Sequence, residues 1–320
     1  MKILKYMQMA TIVATLGFVS CNNDDIPQID NGELKIIATI GDDKTRVNTE
    51  EDGSKFLPGD SLKIHYGSSS DNTYYVTKNG TVNGIAEFQP TNKKITFDSP
   101  NAVFGAIYTY KYICDAQWNY GNYLAMINHK GGVTDQSTVE KLRKFDTMLG
   151  IYNANYFETS VVSFNMKHIF SKVTVTIKEY NGFENPGKDS YKINTMTIYN
   201  KFSDLILKFD GNEYIWIPQD WNTKISEILP LMKEDKTNGK HSFTAIIAPN
   251  KYATGDVFLS FEFQGVEYKV LANSDLCRDG FLESGKHYHF DLTINKKASV
   301  KMSNVTLIDW EEEEFTEFTR

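Results

Sequence analysis

Apolar and polar residues alternate along most of this chain. The segments ELKIIATI (33–40), SLKIHY (61–66) and KVTVTIK (172–178) each place an apolar residue at every second position, and similar segments continue to residue 308. Clusters of Gly, Asn, Asp and Pro separate these segments, as at Asn79-Gly80. Strands that alternate in this way, without helices between them, bury one face and expose the other. The sequence therefore predicts an all-β fold of antiparallel β-sandwich type.

One segment departs from the alternation. Within TDQSTVEKLRKFD (134–146), Ser137 and Glu140 have the spacing of a capping box. Leu142, Phe145 and Leu149 follow at helical spacing. This pattern predicts a short helix at the edge of a sandwich. EILPLM is a second candidate helical turn, so we expect one or two short helices.

The N-terminus has the features of a lipoprotein signal. Lys2 and Lys5 precede an apolar stretch over 7–20, which is shorter than the roughly 20 residues that a membrane-spanning helix needs. We therefore assign 1–20 as a signal peptide. Cys21 follows directly and is a candidate for acylation, for example by palmitate, which would hold the chain on a membrane. Residues 21–32 are polar and acidic and predict a tether. An ordinary signal peptide with a chance cysteine is the alternative.

Charge and length restrict the remaining possibilities. Removal of residues 1–20 takes the formal charge from −7 to −9, because Lys2 and Lys5 are lost. Nucleic acid is then an unsuitable partner, since phosphate binding needs clustered basic residues. About 300 mature residues predict two domains, which we place at 33–160 and 161–320. Cys114 and Cys277 are the other two thiols. They could pair, but we favour two buried free cysteines because they fall in different predicted domains.

The sequence contains no specific catalytic motif. A nucleophile elbow and a phosphate-binding glycine loop are both missing from the sequence. His287 and His289 project to one face of a strand, but two ligands without a third are a weak metal signal. Glu311–Glu314 lacks the interleaved turn residues of a calcium loop. We predict that the protein is no enzyme and has no cofactor or metal, although paired carboxylates for glycoside chemistry stay possible.

Aromatic residues are concentrated in IYTYKYICDAQWNYGNY. The cluster contains Tyr108, Tyr110, Tyr112, Trp118, Tyr120 and Tyr123. Such rings could stack on sugars, or they could pack across a sheet, because half of them have a spacing of two. We favour sheet packing. The alternative is a surface glycan-binding lipoprotein of a nutrient-uptake system that uses Trp118 and Tyr120.

Several segments, in this order, match a known pattern. They are Cys21, Thr45-Arg46, FLPGDSLKIHY (56–66), SFNMKHIFSKVTVTI (163–177), FLESGKHYHFDLTI (281–294) and VTLIDW (305–310). Together they resemble the fimbrillin family of Bacteroidales, the type V pilins and their relatives. The resemblance implies two transthyretin-like β-sandwich domains in tandem. It also implies a surface lipoprotein of the outer membrane that acts as a fimbrial subunit or a pilus-associated adhesin.

The resemblance further implies assembly by donor strand exchange. Cys21 would be the lipid site, and a protease would cut the loop after the first strand, for which Arg46 is the candidate. The removed strand carries Leu34, Ile36, Ala38 and Ile40, and the vacated edge would accept a strand of another fimbrial subunit. Other implied partners are a receptor or glycan on a host or bacterial surface. Arg46 could equally be an ordinary surface residue.

The C-terminus departs from the family pattern. Val305, Leu307 and Trp310 form the candidate C-terminal strand, but four glutamates follow them. Unpaired carboxylates enter an apolar groove only at a cost of several kcal/mol each. Either 303–310 alone is donated, or this segment is the last strand of its own domain. Stalk, tip, minor and anchor roles therefore stay open.

Overall fold

A computed structural model describes most of the chain beyond its N-terminal segment. The described residues are 34–41, 55–66, 73–97, 101–109, 117–119, 124–128, 133–155, 159–183, 193, 195–200, 204–209, 214–218, 225–235, 240–273, 276, 281–296 and 299–309.

The described elements are strands, with one short helix among them. The elements up to residue 168 are β1 Lys35–Ile40, β2 Ser61–Tyr66, β3 Thr73–Val76, β4 Thr81–Val82, β5 Ile85–Pro90, β6 Asn101–Thr109, β7 Gln117–Asn119, β8 Leu124–Asn128, β9 Val133–Asp135, α1 Val139–Arg143, β10 Met148–Asn155 and β11 Val161–His168. Those that follow are β12 Ser171–Asn181, β13 Met196–Asn200, β14 Asp204–Phe209, β15 Tyr214–Pro218, β16 Ser226–Leu229, β17 Leu231–Asp235, β18 Lys240–Ile247, β19 Asn250–Lys251, β20 Val257–Phe263, β21 Val266–Leu271, β22 Phe281–Leu282, β23 Lys286–Asn295 and β24 Ser299–Asp309. The predicted all-β class is confirmed.

The first sheet closes on itself. Its strand order is β1-β11-β10-β6-β2-β3-β5, and a further pairing between β1 and β5 joins the two ends, while β4 extends from β5. The inward residues of these strands form one apolar core, which includes Ile36, Leu62, Phe104 and Phe164. Every strand of the ring thus places its alternate apolar residues in a shared interior.

The second half of the chain builds a separate core between two sheets. One sheet has the order β17-β18-β12-β23-β24, and the other has the order β21-β20-β13-β16-β9. Val173, Val175 and Phe290 contribute to the core between them. Strand β12 pairs with β23 in parallel and with β18 antiparallel. Parallel pairs such as this one are a detail that alternation does not specify.

The strand β24 is the last strand of its own sheet. It pairs antiparallel with β23, with Leu307 opposite Tyr288, and it lies at the end of the five-stranded order. Val305 is half-buried and packs against the second core. In the structure this segment is therefore the last strand of its own sheet, as the second of the two alternatives expected.

The change from one core to the other lies after residue 160. Residue 160 precedes β11, but Val162, Phe164 and Met166 of β11 belong to the first core. The second core begins with Val173. The turn-rich stretch before residue 160 joins two antiparallel strands of the same sheet, β10 and β11. The two cores thus change over between β11 and β12, and the domains 33–160 and 161–320, like the tandem transthyretin-like arrangement, stay predictions.

The segment between β6 and β10 extends to the second half. Strand β8 pairs with β14, and β9 pairs in parallel with β16. The buried side chain of Gln136 donates from Nε2 to the Ile246 carbonyl at 2.7 Å and accepts from the Ile246 N–H at 2.8 Å. These contacts join β9 to the sheets of the second core.

Helix α1 is shorter than the predicted 134–146 and begins one residue later than the capping box indicated. Its N-cap is Thr138, whose side chain accepts from the Lys141 N–H. Ser137 instead donates to Asp135. Leu142 and Leu149 are buried, as the helical spacing suggested, but Leu149 lies in β10.

The second predicted helical turn is wrong. EILPLM contributes to strands β16 and β17, which meet at Pro230. Among the described residues, no helix has the length and apolar character needed to cross a membrane.

The same turn starts a strand in each half. Asp60 Oδ2 accepts from the Leu57 N–H at 2.7 Å, and Asp256 Oδ2 accepts from the Ala253 N–H at 2.6 Å. The Asp60 N–H donates to the Leu57 carbonyl at 3.0 Å, as the Asp256 N–H does to the Ala253 carbonyl. The Gly-Asp pair of FLPGDSLKIHY is thus a turn that precedes β2, and ATGDV repeats it before β20.

Candidate functional site, the first-strand slot

The strand β1 is a buried part of the first core. Its alternation points Leu34, Ile36, Ala38 and Ile40 inward, and none of the four is more than 9% exposed. Ile36 and Ala38 are fully buried. The resemblance assigned these residues to the strand that is removed, and the structure brings all four together in one interior.

Backbone pairing holds β1 on both sides. It pairs with β11 in parallel from Lys35↔Val161 to Ile40↔Met166, and with β5 antiparallel from Ile36↔Phe88 to Ala38↔Ala86. The expectation that its departure would vacate a single edge is wrong. Its departure would expose two facing rows of unpaired backbone groups, one on β5 and one on β11. We call the space that β1 occupies between these strands the first-strand slot.

The slot has different neighbouring side chains at each inward position. Beside Ile36 lie Val162 of β11 and Phe88 of β5. Beside Ala38 lie Phe164 and Ala86, and both are fully buried. The sequence signal for these neighbours was only their alternation, which gives no information on which strands meet.

An aromatic contact supports the β5 wall of the slot. The Phe88 ring packs edge-on against Phe56, with centroids 5.2 Å apart. Phe56 also accepts a backbone hydrogen bond from Thr81 and donates one to its hydroxyl. These two hydrogen bonds and the ring contact therefore hold Phe56 next to the slot.

The outward face of β1 contributes little to its attachment. Lys35 forms an exposed ion pair with Glu87 of β5, and such pairs contribute at most about 1 kcal/mol. Ile37 and Thr39 are half-buried. The inward side chains and the two backbone ladders thus hold the strand in place.

A buried charge network joins the turn before β2, strand β6 and helix α1. Arg143 Nη2 donates to Asp60 Oδ2 at 2.8 Å and to the Tyr108 hydroxyl at 3.1 Å. Burial raises the pKa of the Asp60 carboxyl, while Arg143 and the Leu57 N–H act in the opposite direction. Burial also raises the pKa of the Tyr108 hydroxyl well above 10.0. Sequence reasoning missed this network. Because the Tyr108 ring is buried and its hydroxyl accepts from Arg143, Tyr108 packs in the protein and does not form part of an exposed sugar platform.

The two histidines of KHYHF do lie together. The His287 and His289 ring centroids are 3.8 Å apart, and His287 Nε2 lies 2.8 Å from the Thr174 hydroxyl. Burial, then Lys172, lowers the pKa of both imidazoles, to about 4 for His289 and well below 6.5 for His287. Within the described ranges, no group of three or more His, Cys, Asp or Glu residues could hold a metal.

Other predicted residues cannot be placed in the site. Trp118 belongs to β7. The predictions for the remaining residues fall outside the described ranges. These residues are Cys21, Arg46, Tyr110, Tyr112, Cys114, Tyr120, Tyr123, Cys277, Trp310 and Glu311–Glu314.

Two solved structures share this architecture. A candidate cell adhesion protein from Bacteroides uniformis ATCC 8492 has 19% identity and a TM-score of 0.59, with 88% of this chain and 99% of that chain covered. A candidate cell adhesion protein from Bacteroides ovatus ATCC 8483 has 15% identity, the same TM-score and the same coverage. At this identity the likeness shows the fold. The comparison with curated proteins gives no match.

The fold and the slot thus define a β-protein with two cores whose first strand is buried between two others. A family model described as fimbrillin-like matches residues 45–310. The chain belongs to the fimbrillin-like family. Membership supports a fimbrial or adhesive role at the cell surface.

Proposed function

We propose that this protein is a surface lipoprotein that acts as a fimbrial subunit or a fimbria-associated adhesin. Lipid on Cys21 holds the chain on the outer membrane. A protease then cuts after Arg46 and releases the lipid together with β1. A strand from another fimbrial subunit enters the first-strand slot and completes the core.

The observation that carries the proposal is the position of β1. It supplies buried side chains to the first core and pairs with β5 and β11. Without β1, the apolar first-strand slot would face water between the unpaired backbone groups of β5 and β11. Exposure of this kind is unfavourable, and addition of a strand removes it. Association would therefore be driven by completion of a fold and would require no chemical turnover.

The order of segments along the chain fits this sequence of events. Cys21 and β1 both precede Arg46, whereas β5 and β11 both follow it. One cut after Arg46 would separate the lipid and the strand from both walls of the slot. The surrounding sequence, GDDKTRVNTEEDGSK, is polar and turn-rich, which suits a protease-accessible loop.

Limited proteolysis tests the proposal. The chain from residue 22 onward is treated with an Arg-specific protease, and we expect an early cut that gives a new N-terminus at Val47. Arg46→Gln should abolish this cut and leave the others unchanged. The cut protein is then mixed with a fluorescent peptide that copies residues 32–41. The peptide should bind as the released fragment leaves, and native mass spectrometry measures both events.

Two results would contradict the proposal. One is a chain that stays uncut at Arg46 under conditions that cleave an unfolded arginine-containing control peptide. The other is a cut chain that never accepts a strand in place of its own. Lipidation is tested separately in cells, where Cys21→Ala should move the protein from the membrane fraction to the soluble fraction.

A further inference from the structure

We infer that the first-strand slot selects its occupant by side-chain size. It accepts a strand with a small residue at the third inward position and bulky aliphatic residues at the other three. We further infer that the C-terminal strand of a second copy does not meet this rule, so a C-terminal strand that enters the slot comes from a different protein. The inference rests on the proposed function and specifies the partner of the same slot.

The narrow position is that of Ala38. Its cross-strand neighbours are Phe164 and Ala86, and all three residues are 0% exposed. Because a Phe ring occupies the interior beside a methyl group, a longer side chain at position 38 has no free volume to enter. Protein interiors are close-packed, and added carbons there force shifts of neighbouring groups.

The wide positions flank it. Ile36 is fully buried beside Phe88 and Val162, and Ile40 is 6% exposed beside Met166. A small residue at either place would leave a cavity. The slot therefore requires large side chains at the places of Leu34, Ile36 and Ile40 and a small side chain at the place of Ala38.

The C-terminal strand does not offer this series. One set of alternate residues runs Val300, Met302, Asn304, Thr306 and Ile308 and contains no Ala, Gly or Ser. In the other set the small residue Ser303 follows Ser299 and Lys301, where the slot requires two bulky aliphatic residues.

The opposite strand direction does not remove the mismatch. With Ser303 at the place of Ala38, Val305 and Leu307 would take the places of Ile36 and Leu34. Lys301 would then lie at the place of Ile40, which is 6% exposed beside Met166. Burial of an unpaired ammonium group is unfavourable. The C-terminal strand of a second copy is thus a poor donor in either direction.

Peptide exchange into the cut chain measures the rule. The probes copy residues 32–41 in natural form, with Ala38→Leu, and with Thr39→Leu as a control that adds bulk on the half-buried outward face. We expect Ala38→Leu to weaken binding by about tenfold or more. Thr39→Leu should change it by less than about threefold. A peptide that copies residues 299–310 should not displace the natural peptide.

A complementary change in the wall distinguishes size from other effects. Phe164→Leu in the chain should restore binding of the Ala38→Leu peptide relative to the natural one. The same substitutions in the uncut chain give a second measurement, since Ala38→Leu should lower the melting temperature and Thr39→Leu should not.

The outcomes distinguish failure of the proposed function from failure of the size rule. If no peptide binds the cut chain, the proposed function fails and the inference fails with it. If natural and Ala38→Leu peptides bind equally, or if Ala38→Leu leaves the uncut chain's melting temperature unchanged, the size rule alone is overturned. If the 299–310 peptide displaces the natural peptide, the slot accepts a second copy and the inference of a different partner is overturned.

Discussion

Arg143 donates through Nη2 to Asp60 Oδ2 at 2.8 Å, and both side chains are buried. Asp60 belongs to the turn that precedes β2, and Arg143 is the last residue of α1. The pair therefore fixes α1 on the first sheet. Gln136, a few residues earlier, binds the backbone of β18 in the second half. The short segment from Gln136 to Arg143 thus forms buried hydrogen bonds with both halves of the protein.

Arg143→Met should destabilise the protein strongly. The substitution keeps much of the apolar stem but leaves the Asp60 carboxylate buried without its cation, and such a loss costs about 3–5 kcal/mol. Urea unfolding measures the effect. Lys141→Met is the control, because Lys141 bonds to Asp135 at the exposed surface, and it should leave the unfolding free energy nearly unchanged. Equal effects of the two substitutions would show that the buried pair has no special role.

Gln136→Ala tests the attachment to the second half. It leaves the Ile246 N–H and carbonyl without their side-chain partner. At about 1–3 kcal/mol for each of the two unsatisfied buried groups, we expect a loss of about 2–6 kcal/mol in the free energy of unfolding. Ser137→Ala, at the exposed neighbouring position, should be close to neutral. A neutral Gln136→Ala variant would mean that water replaces the amide without cost.

Alternation predicted the faces of the strands but not their neighbours. The inward set Leu34, Ile36, Ala38 and Ile40 follows directly from a period of two. The two-sided pairing of β1 does not, because β11 lies far along the chain and pairs in parallel. A period of two contains no information on direction or partner. For the same reason alternation does not indicate that β11 contributes to the first core.

The polar contacts were missed for a related reason. Arg143 and Asp60 are 83 residues apart, and Gln136 and Ile246 are 110 apart, so no local motif connects them. At the start of α1, Ser137 and Thr138 are adjacent hydroxyl residues that suit an N-cap almost equally. The contact of Ser137 with Asp135 decides between them, and only the folded structure contains it.

Gly80→Ala should disturb the wall next to the slot. Gly80 has a φ of +66°, and an added Cβ would lie 2.5 Å from the Phe56 carbonyl oxygen. Strain and collision together should cost more than about 2 kcal/mol. Gly265→Ala is the matched control, with a φ of +75° and nothing within 4 Å, and should cost about 1 kcal/mol. Equal losses on thermal unfolding would mean that the Phe56 backbone moves freely.

Acid should destabilise the second half of the protein through the histidines of β23. In the folded protein the pKa of His289 is lowered to about 4, chiefly by burial and then by Lys172, with Lys178 acting in the same direction and Asp291 against it. The ordinary value of 6.5 applies to the unfolded chain. The folded state thus binds fewer protons, so this contribution to stability is complete above pH 6.5 and decreases as the pH falls towards 4.

His289→Gln isolates this contribution. From pH 7 to pH 4 the natural protein should lose up to about 3 kcal/mol more unfolding free energy than the variant. Urea unfolding at pH 7, 5.5 and 4 gives the two slopes, and the stability of the variant at pH 7 serves as its own reference. His287 should maintain part of the dependence in the variant, because its pKa is also lowered. Parallel slopes for the two proteins would show that His289 takes up its proton equally well in the folded and unfolded chains.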